Sequence, residues 1–429
     1  MLFSGSLWSR MQGLSTAQRV AVISFFGQLY FFVPVMTPYL RGEGLSMAQI
    51  AGLQTVLLWA QLLMEVPTGV LADRLGHRHS YQIALVLSIA GEFIVLIAHN
   101  YTTFLLAQIV SGTGFAFASG SVDAYVYESL PAGNRTQGMQ RARGGIGAAI
   151  HLASVIAYGT TALVAADLTR PRMVLTLVMG IAGLSVAVLI SLTLRDRPGV
   201  VVDNRPTSTS LLRTSWNVIR GNRQLQRVML LSLAANAFGA HLLVFYQEYF
   251  LQSGVLGRWF GLALSLGSVV AIGTQMVAWR MVPLLGIRWA MIVATGIPGV
   301  LYVAMALNHD PVLAVVLFII QWGAVQLSAP LFAGSFNEHL PDHARATSLS
   351  LISGLVTIYV GVMGIFLGWL AGQSLAIMFG LMGVLVLLGA TLVQIRPDAD
   401  TDNDQVEKAT APVTDGGAGR NSGSSPSLL

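Results

Sequence analysis

Long stretches of this 429-residue chain carry no Asp, Glu, Lys or Arg, and they have the length of a membrane crossing. They include Val20 to Leu40, Gly44 to Met64, Gly144 to Ala166, Met173 to Leu194, Val228 to Gln247, Trp259 to Trp279, Trp289 to His309 and Pro311 to Asn337. Ala346 to Ile395 is one uncharged run long enough for two helices and a tight turn. A helical crossing needs about 20 residues at 1.5 Å rise to span about 30 Å of hydrocarbon. Membrane strands would show alternating polarity over about 10 residues, which is absent. Composition agrees: 10% of residues are charged, against about 25% in soluble domains, and mean hydropathy is +0.67.

The expected fold is therefore an all-α membrane protein of twelve transmembrane helices. They are placed near 18–40, 48–71, 80–98, 102–127, 140–164, 172–194, 226–250, 258–281, 287–307, 311–336, 346–371 and 374–395. Met1 to Gln18 lacks an apolar core followed by a small-residue cleavage site, so insertion by the first span is expected. Of 24 Lys and Arg, only Arg41, Arg170, Arg172 and Arg258 fall in odd-numbered inter-helix loops. The positive-inside rule then puts both termini in the cytoplasm. Basic residues are Arg at all but one position, which points to a GC-rich bacterial genome and a bacterial cell membrane.

Several function classes are excluded. There is no cysteine, so disulfides, thiolate metal sites and cysteine nucleophiles are ruled out. No metalloprotease motif, Walker loop or dinucleotide fingerprint occurs, so no cofactor, metal or catalytic residue is expected. The net charge of +5 comes from the loop bias. No basic helix is interleaved with aromatics, which gives no support to nucleic-acid binding.

The chain repeats itself. Shifted by 210 residues, Tyr39 meets Tyr249, Gly44 meets Gly254, Gly76 meets Gly286 and Arg78 meets Arg288. His99 meets His309, Glu128 meets Glu338, Leu130-Pro131 meets Leu340-Pro341, Arg135 meets Arg345 and Gly144 meets Gly354. Matched Gly, Arg, Glu and Pro in loops imply two six-helix halves in the same orientation. The expected organisation is an N-terminal half over 1–197, a cytoplasmic linker over 198–225, a C-terminal half over 226–396 and a disordered tail over 397–429. In the linker Leu211, Leu212, Ser215, Trp216 and Ile219 share a helical face, which suits either a helix on the leaflet or a plain flexible linker.

The loop after the second span reads Gly69-Val-Leu-Ala-Asp73-Arg74-Leu-Gly76-His77-Arg78. Gly76 allows a tight turn and Asp73 suits a helix N-terminus. Glu128 and Arg135 recur as Glu338 and Arg345 at the same spacing. The loop resembles the signature G-x-x-x-D-R-x-G-R/K-R/K of the major facilitator superfamily of secondary transporters, with His77 where a permanent cation is usual. The paired E-x6-R elements resemble those after spans four and ten in several branches. The resemblance covers 18–396. It implies a cytoplasmic gate network of Arg78, Glu128 and Arg135 in one half and Arg288, Glu338 and Arg345 in the other, shut in the outward-facing state. Pro283 stands at the equivalent of Asp73, so the second latch is expected to be weaker. The fifth span has Gly144, Gly145, Gly147 and Gly159 for close packing but lacks the proline of the drug-antiporter motif.

Four acids fall inside spans: Glu65, Glu92, Asp123 and Glu248. Each is costly in lipid and so faces a cavity or a partner. Asp123, Glu65 and Glu248 are the proton-coupling candidates, Asp123 first. The competing roles are an ion-pair partner of Arg74 or Arg78 for Asp123, local bracing for Glu65 and an interfacial role for Glu248. The resemblance makes spans one, four, seven and ten the cavity helices, so Gln28, Tyr30, Asn236, His241, Tyr246, Gln321, Trp322 and Gln326 are substrate-cavity candidates, each with helix packing as its other reading. The whole implies a monomeric proton-driven exporter of amphipathic small molecules in the lipid bilayer. The alternatives are a proton symporter for sugars or organic acids, and a receptor or scaffold on the same fold.

Overall fold

The computed structural model describes residues 13–131, 135–195, 208–338, 340 and 345–392. The tail over 397–429 and the start of the linker lie outside the described residues. Fourteen α-helices are described, and no strand is present among the described residues. They are α1 Thr16–Gly27, α2 Met36–Gly42, α3 Met47–Leu75, α4 His77–Ile97, α5 Tyr101–Ala118, α6 Ser121–Glu128, α7 Arg135–Val164 and α8 Arg170–Ser191. After these come α9 Ser208–Gly221, α10 Arg223–Gln252, α11 Arg258–Leu307, α12 Pro311–Glu338, α13 Arg345–Gln373 and α14 Leu375–Leu392.

Ten helices, α5 with α6 taken as one, are long and apolar enough to cross a membrane. The expected twelve are reached by counting the broken stretch at 16–42 as one crossing and α11 as two. α11 has 50 residues, far beyond the roughly 20 that one crossing needs. Its two arms meet at Gly286, whose φ of +74° no helix contains. Helix starts are written locally. Ser15 with Gln18, and Ser46 with Gln49, form reciprocal capping boxes at α1 and α3.

The 210-residue repeat is a repeat of backbone geometry. Gly44 and Gly254 both have positive φ, and the following residues close the same turn: Leu45 N–H donates to Leu40 O and Val255 N–H to Phe250 O. Gly76 and Gly286 also share positive φ, at +87° and +74°. The Arg135 guanidinium donates to Leu130 O and the Arg345 guanidinium to Leu340 O, one repeat apart.

The first span is not one helix, contrary to the expectation over 18–40. It breaks after Gly27 and passes through a short 3₁₀ turn at Val33–Val35 before α2. Pro34 supplies no N–H, and freed carbonyls at this depth need partners from the protein itself. Thr161 Oγ1 donates to Phe31 O at 2.6 Å, Gln247 Nε2 to Val33 O at 2.9 Å and Tyr246 Oη to Pro34 O at 3.5 Å. The fourth span is likewise interrupted between α5 and α6, where Gly120 takes φ +77°. In the linker, α9 buries Ser215 and Ile219 and leaves Trp216 exposed, so the expected apolar face is divided.

Candidate functional site: a cavity sealed at one end

Helices from before and after the linker meet in two long crossings, α3 with α13 and α7 with α11. Both crossings are tight at the end near Thr37 and loose at the end near Asp73. In the first, Thr55 Oγ1 donates to Gly361 O at 2.9 Å, and a Cβ on Gly368 would sit 2.6 Å from Ala51 Cβ. In the second, Ser265 Oγ donates to Val155 O at 3.0 Å. A Cβ on Gly261 would collide with Tyr158 O and lie 2.8 Å from Ala162 N. Toward Asp73 these contacts thin out among the described residues, the last across α3 and α13 being Leu62 Cδ1, 3.6 Å from where a Cβ on Gly354 would stand. Residues 63–67 of α3 are all exposed, and Gly144, Gly145, Gly147 and Gly273 have nothing within 4 Å of where a Cβ would stand. Of the four glycines expected to pack span five against the other half, Gly159 does so here, where a Cβ would lie 3.6 Å from Ser265 Oγ.

Cores follow the same division. One buried cluster joins Phe31, Val35, Tyr39, Ile50 and Leu53 to Phe238, Phe245, Tyr246, Phe250 and Leu367. At the other end there are two: one with residues from Val20 to Leu194 only, the other with residues from Ile219 to Ile352 only.

The seal is mostly neutral. Gln247, fully buried, accepts from Thr37 N–H at 2.8 Å while its Nε2 donates to Val33 O. Thr37 Oγ1 donates to Val244 O at 3.1 Å. His241 bonds Val360 O through Nε2 at 2.9 Å, and a Cβ on Gly364 would strike its ring. Among the described residues, the ion pair across the seal is Arg41 Nε to Glu248 Oε2 at 3.5 Å, with Gln252 Nε2 donating to Glu248 Oε1 at 3.1 Å. At 3.5 Å the Arg41 contact is ionic rather than a well-formed hydrogen bond. Beside it Arg170 binds Glu43 at 2.8 Å and His99 approaches Glu43 at 3.6 Å.

Two cavities lie between these helices. One, about 450 Å3, is bounded by α1, α4, α5, α6, α7 and α8 and includes Gln28, Tyr30 and Asp123 in its wall. The other, about 370 Å3, lies between α3, α10, α12 and α13 and includes Trp322 and Gln326. Tyr246, His241 and Gln321 line neither. All three are 0% exposed and belong to the packing of α10 and α12, which corrects their expected place in the cavity. The reason is that helices apolar on every face carry no periodicity to mark the cavity side. The side chain of Asn236 lies outside the described residues.

Asp123 stands in the first turn of α6, just after the Gly120 break, and Arg143 of α7 grips it with two bonds, Nε to Oδ1 at 3.2 Å and Nη2 to Oδ2 at 2.5 Å. The expected partners Arg74 and Arg78 were the wrong arginines to consider. Glu65 is exposed on α3, and Glu248 sits in the seal. Asp73 and Arg74 are exposed, and Gly69 has open space around it. Gly76 caps α4 with φ +87°, the turn that the signature spacing anticipates. His77 Nε2 lies 3.3 Å from Glu128 Oε1, so the residue that departs from the signature touches the acid expected in the gate. Arg135 stacks over Tyr127 at 5.2 Å and Arg288 over Trp289 at 5.9 Å, while Glu338 is exposed. Sequence reasoning missed Thr37, Gln247, Arg143 and Arg41. Thr37 and Gln247 are one repeat apart, which was a usable signal.

Residues 20–257 match the sequence model of the Major Facilitator Superfamily, more than half of the chain. The chain belongs to the major facilitator superfamily. Its described helices are those of a multi-pass membrane protein. Within the superfamily it is 25% identical over 99 residues to the quinolone resistance protein NorA of Staphylococcus aureus, covering 23% of this chain and 26% of NorA. It is 24% identical over 128 residues to the arabinose-proton symporter of Bacillus subtilis (strain 168), covering 30% and 25%. The alignments thus span about a quarter of the length of these curated relatives. The fold is similar to that of the nucleoside transporter NupG (TM-score 0.73, 14% identity, 89% of this chain and 98% of that one). It is similar also to a D-xylose-proton symporter (TM-score 0.66, 16% identity, 87% and 96%).

Proposed function

We propose that this transporter works by alternating access, is driven by protons, and exports amphipathic small molecules from the cytoplasm. The observation that carries the reading is the division of the core: shared at the Thr37 end, separate at the Asp73 end. A protein held together at one end and parted at the other has a second arrangement available, with the ends exchanged. The Arg bias of the loops supports a cytoplasmic Asp73 end and cytoplasmic termini, so this is the inward-facing state. In the opposite state the network of Asp73, Arg74, Arg78, Glu128, Arg135, Arg288, Glu338 and Arg345 closes that end. Because the chain lacks cysteine, orientation is testable by single substitutions. Cysteine at Asn100 or His309 reacts with an impermeant maleimide in intact cells, and cysteine at Arg141 or Arg280 does not; the reverse pattern refutes the orientation.

The cavity walls favour an amphipathic substrate over a sugar. A sugar's hydroxyls need several buried partners, and each one left unpaired costs about 1–3 kcal/mol. The wall around Trp322 offers Gln326 and Thr357 among aliphatic neighbours. Similarity to NorA over a quarter of its length accords with an exporter of this kind.

Asp123 is the proposed proton carrier. Arg143 grips Asp123 with two charge-assisted bonds, and a proton placed on that carboxyl would weaken the grip of α7 on α6. Asp123→Asn therefore retains exchange of a fluorescent amphipathic dye across proteoliposomes but loses uphill movement under an imposed pH gradient. Uphill movement at the wild-type rate would transfer the role to Glu65, with Glu65→Gln as the next variant.

A further inference from the structure

The cavity beside α12 has the size of a small-molecule site, about 370 Å3, and its wall is specific in what it lacks. No charged side chain lines it among the described residues. Its polar groups are Trp322, Gln326 and Thr357. Thr357 Oγ1 already donates to Ser353 O at 2.9 Å, which leaves it an acceptor. Gln326 makes no hydrogen bond to any described residue, so its amide is free to donate and accept inside the cavity. Trp322 and Gln326 are one turn apart on one face of α12.

The indole is fixed from behind. It stacks on Phe318 (centroids 6.4 Å apart, planes 28°), and Phe318 stacks on the buried Tyr246 (4.2 Å, 18°). Gly267 of α11 presses against its edge, where a Cβ would lie 3.0 Å from Cδ1. A ring held this way offers a flat, immobile surface next to a free amide. The charge in the wall of the other cavity, Asp123, is already paired with Arg143. An ion entering beside Trp322 would lose water without gaining a counter-ion from the lining residues. An anion gains nothing in exchange, and a cation gains only the indole face, which is worth less than a lost hydration shell costs.

We propose that this cavity binds an uncharged planar aromatic molecule, its ring laid on Trp322 and its polar edge on the Gln326 amide. The proposal rests on the reading of this cavity as the transport site, and it narrows the substrate from amphipathic molecules in general to neutral ones. The competing acid is Glu65, exposed on α3 seven residues beyond the lining residue Leu58, hence two turns along the same helix face toward the open end.

Three fluorescent tricyclic probes of one size separate the cases: acridone, which is neutral, N-methylacridinium, a permanent cation, and acridone-2-carboxylate, an anion. Binding is measured on purified protein in nanodiscs, subtracting uptake by empty nanodiscs. Acridone is expected to bind at least tenfold more tightly than either ion. Trp322→Ala should lose at least tenfold for acridone, and Trp322→Phe should stay within about threefold, which separates loss of the ring face from misfolding. Gln326→Glu should invert the order in favour of N-methylacridinium. Tighter binding of N-methylacridinium to the wild type, abolished by Glu65→Gln, would overturn the proposal, as would acridone affinity unchanged by Trp322→Ala. If acridone binds through Trp322 but is not moved by a pH gradient, the binding proposal stands and the proton-coupled export reading fails.

Discussion

The Thr37 end and the Asp73 end of the helix bundle close, or fail to close, with different chemistry. At Thr37 the parts in contact are glycines against backbone, an amide against broken-helix carbonyls, and aromatic rings in one common core. At Asp73 the notable groups are charges on loops and helix ends, and among the described residues no buried cluster joins the two sets of helices. A seal of neutral groups is compact and dry, so its strength comes from steric fit and from satisfied backbone. It is also incomplete. Tyr39 Oη, Trp59 Nε1 and His241 Nδ1 are buried there with no hydrogen-bond partner. Each such group costs about 1–3 kcal/mol, and water entering on opening returns it.

The comparison breaks hardest at glycine. Gly261→Val places a side chain against the Tyr158 carbonyl and the Ala162 amide, which are backbone atoms of α7 and cannot rotate away. Overpacking of this kind costs about 3 kcal/mol, so the sealed population should fall about a hundredfold. Gly145→Val, at the open end with nothing within 4 Å, should leave the seal intact and hinder closure of the Asp73 end instead. Spin-label distances read both effects: Asn100 to His309 across the sealed end, Arg141 to Arg280 across the open one. Gly261→Val should lengthen the first pair. Equal behaviour of the two variants would show that the two ends do not differ as described.

A second variant tests whether the amide matters as much as the fit. Gln247→Leu keeps the volume but strands Thr37 N–H and the Val33 carbonyl in a buried site. Losing both should cost about 2 kcal/mol, a shift of about thirtyfold toward the opened Thr37 end. Thr37→Val removes the hydroxyl bond to Val244 O alone and should do less. If Thr37→Val proves the more disruptive, the seal does not turn on Gln247.

These positions show what a sequence discloses. The charge-free runs made the helices legible, because a membrane crossing needs length and apolarity and little else. Paired Gly44/Gly254 and Gly76/Gly286 made the repeat legible, because a φ near +70 to +90° strongly favours glycine whatever surrounds it. The break at 28–35 was hidden inside an apolar run, since carbonyls released near Pro34 are satisfied by residues more than a hundred positions away. Asp123 was visible as a costly acid. Its partner was not, because Arg143 lies on another helix and only the packing of α6 on α7 brings them together. His241, Tyr246 and Gln321 looked like cavity residues for want of any signal about direction.

The smallest expected effect belongs to the Arg41–Glu248 pair, which joins helices from the two sides of the linker at the sealed end. Arg41 is 45% exposed and Glu248 8%, so the pair is half in solvent and separated by 3.5 Å. Exposed pairs are worth about 0.2–1 kcal/mol, and burial of the Glu248 carboxylate raises the cost of leaving it alone. Arg41→Gln should therefore weaken the seal about fivefold at most, since Gln252 still donates to Oε1. Glu248→Gln removes the buried charge and should weaken it less, because Arg41 remains hydrated. The double variant should be no worse than Arg41→Gln alone. Such non-additivity in the Asn100 to His309 distance populations is the signature of a direct pair. Additive losses would mean that Arg41 and Glu248 act separately, leaving a seal of neutral groups only.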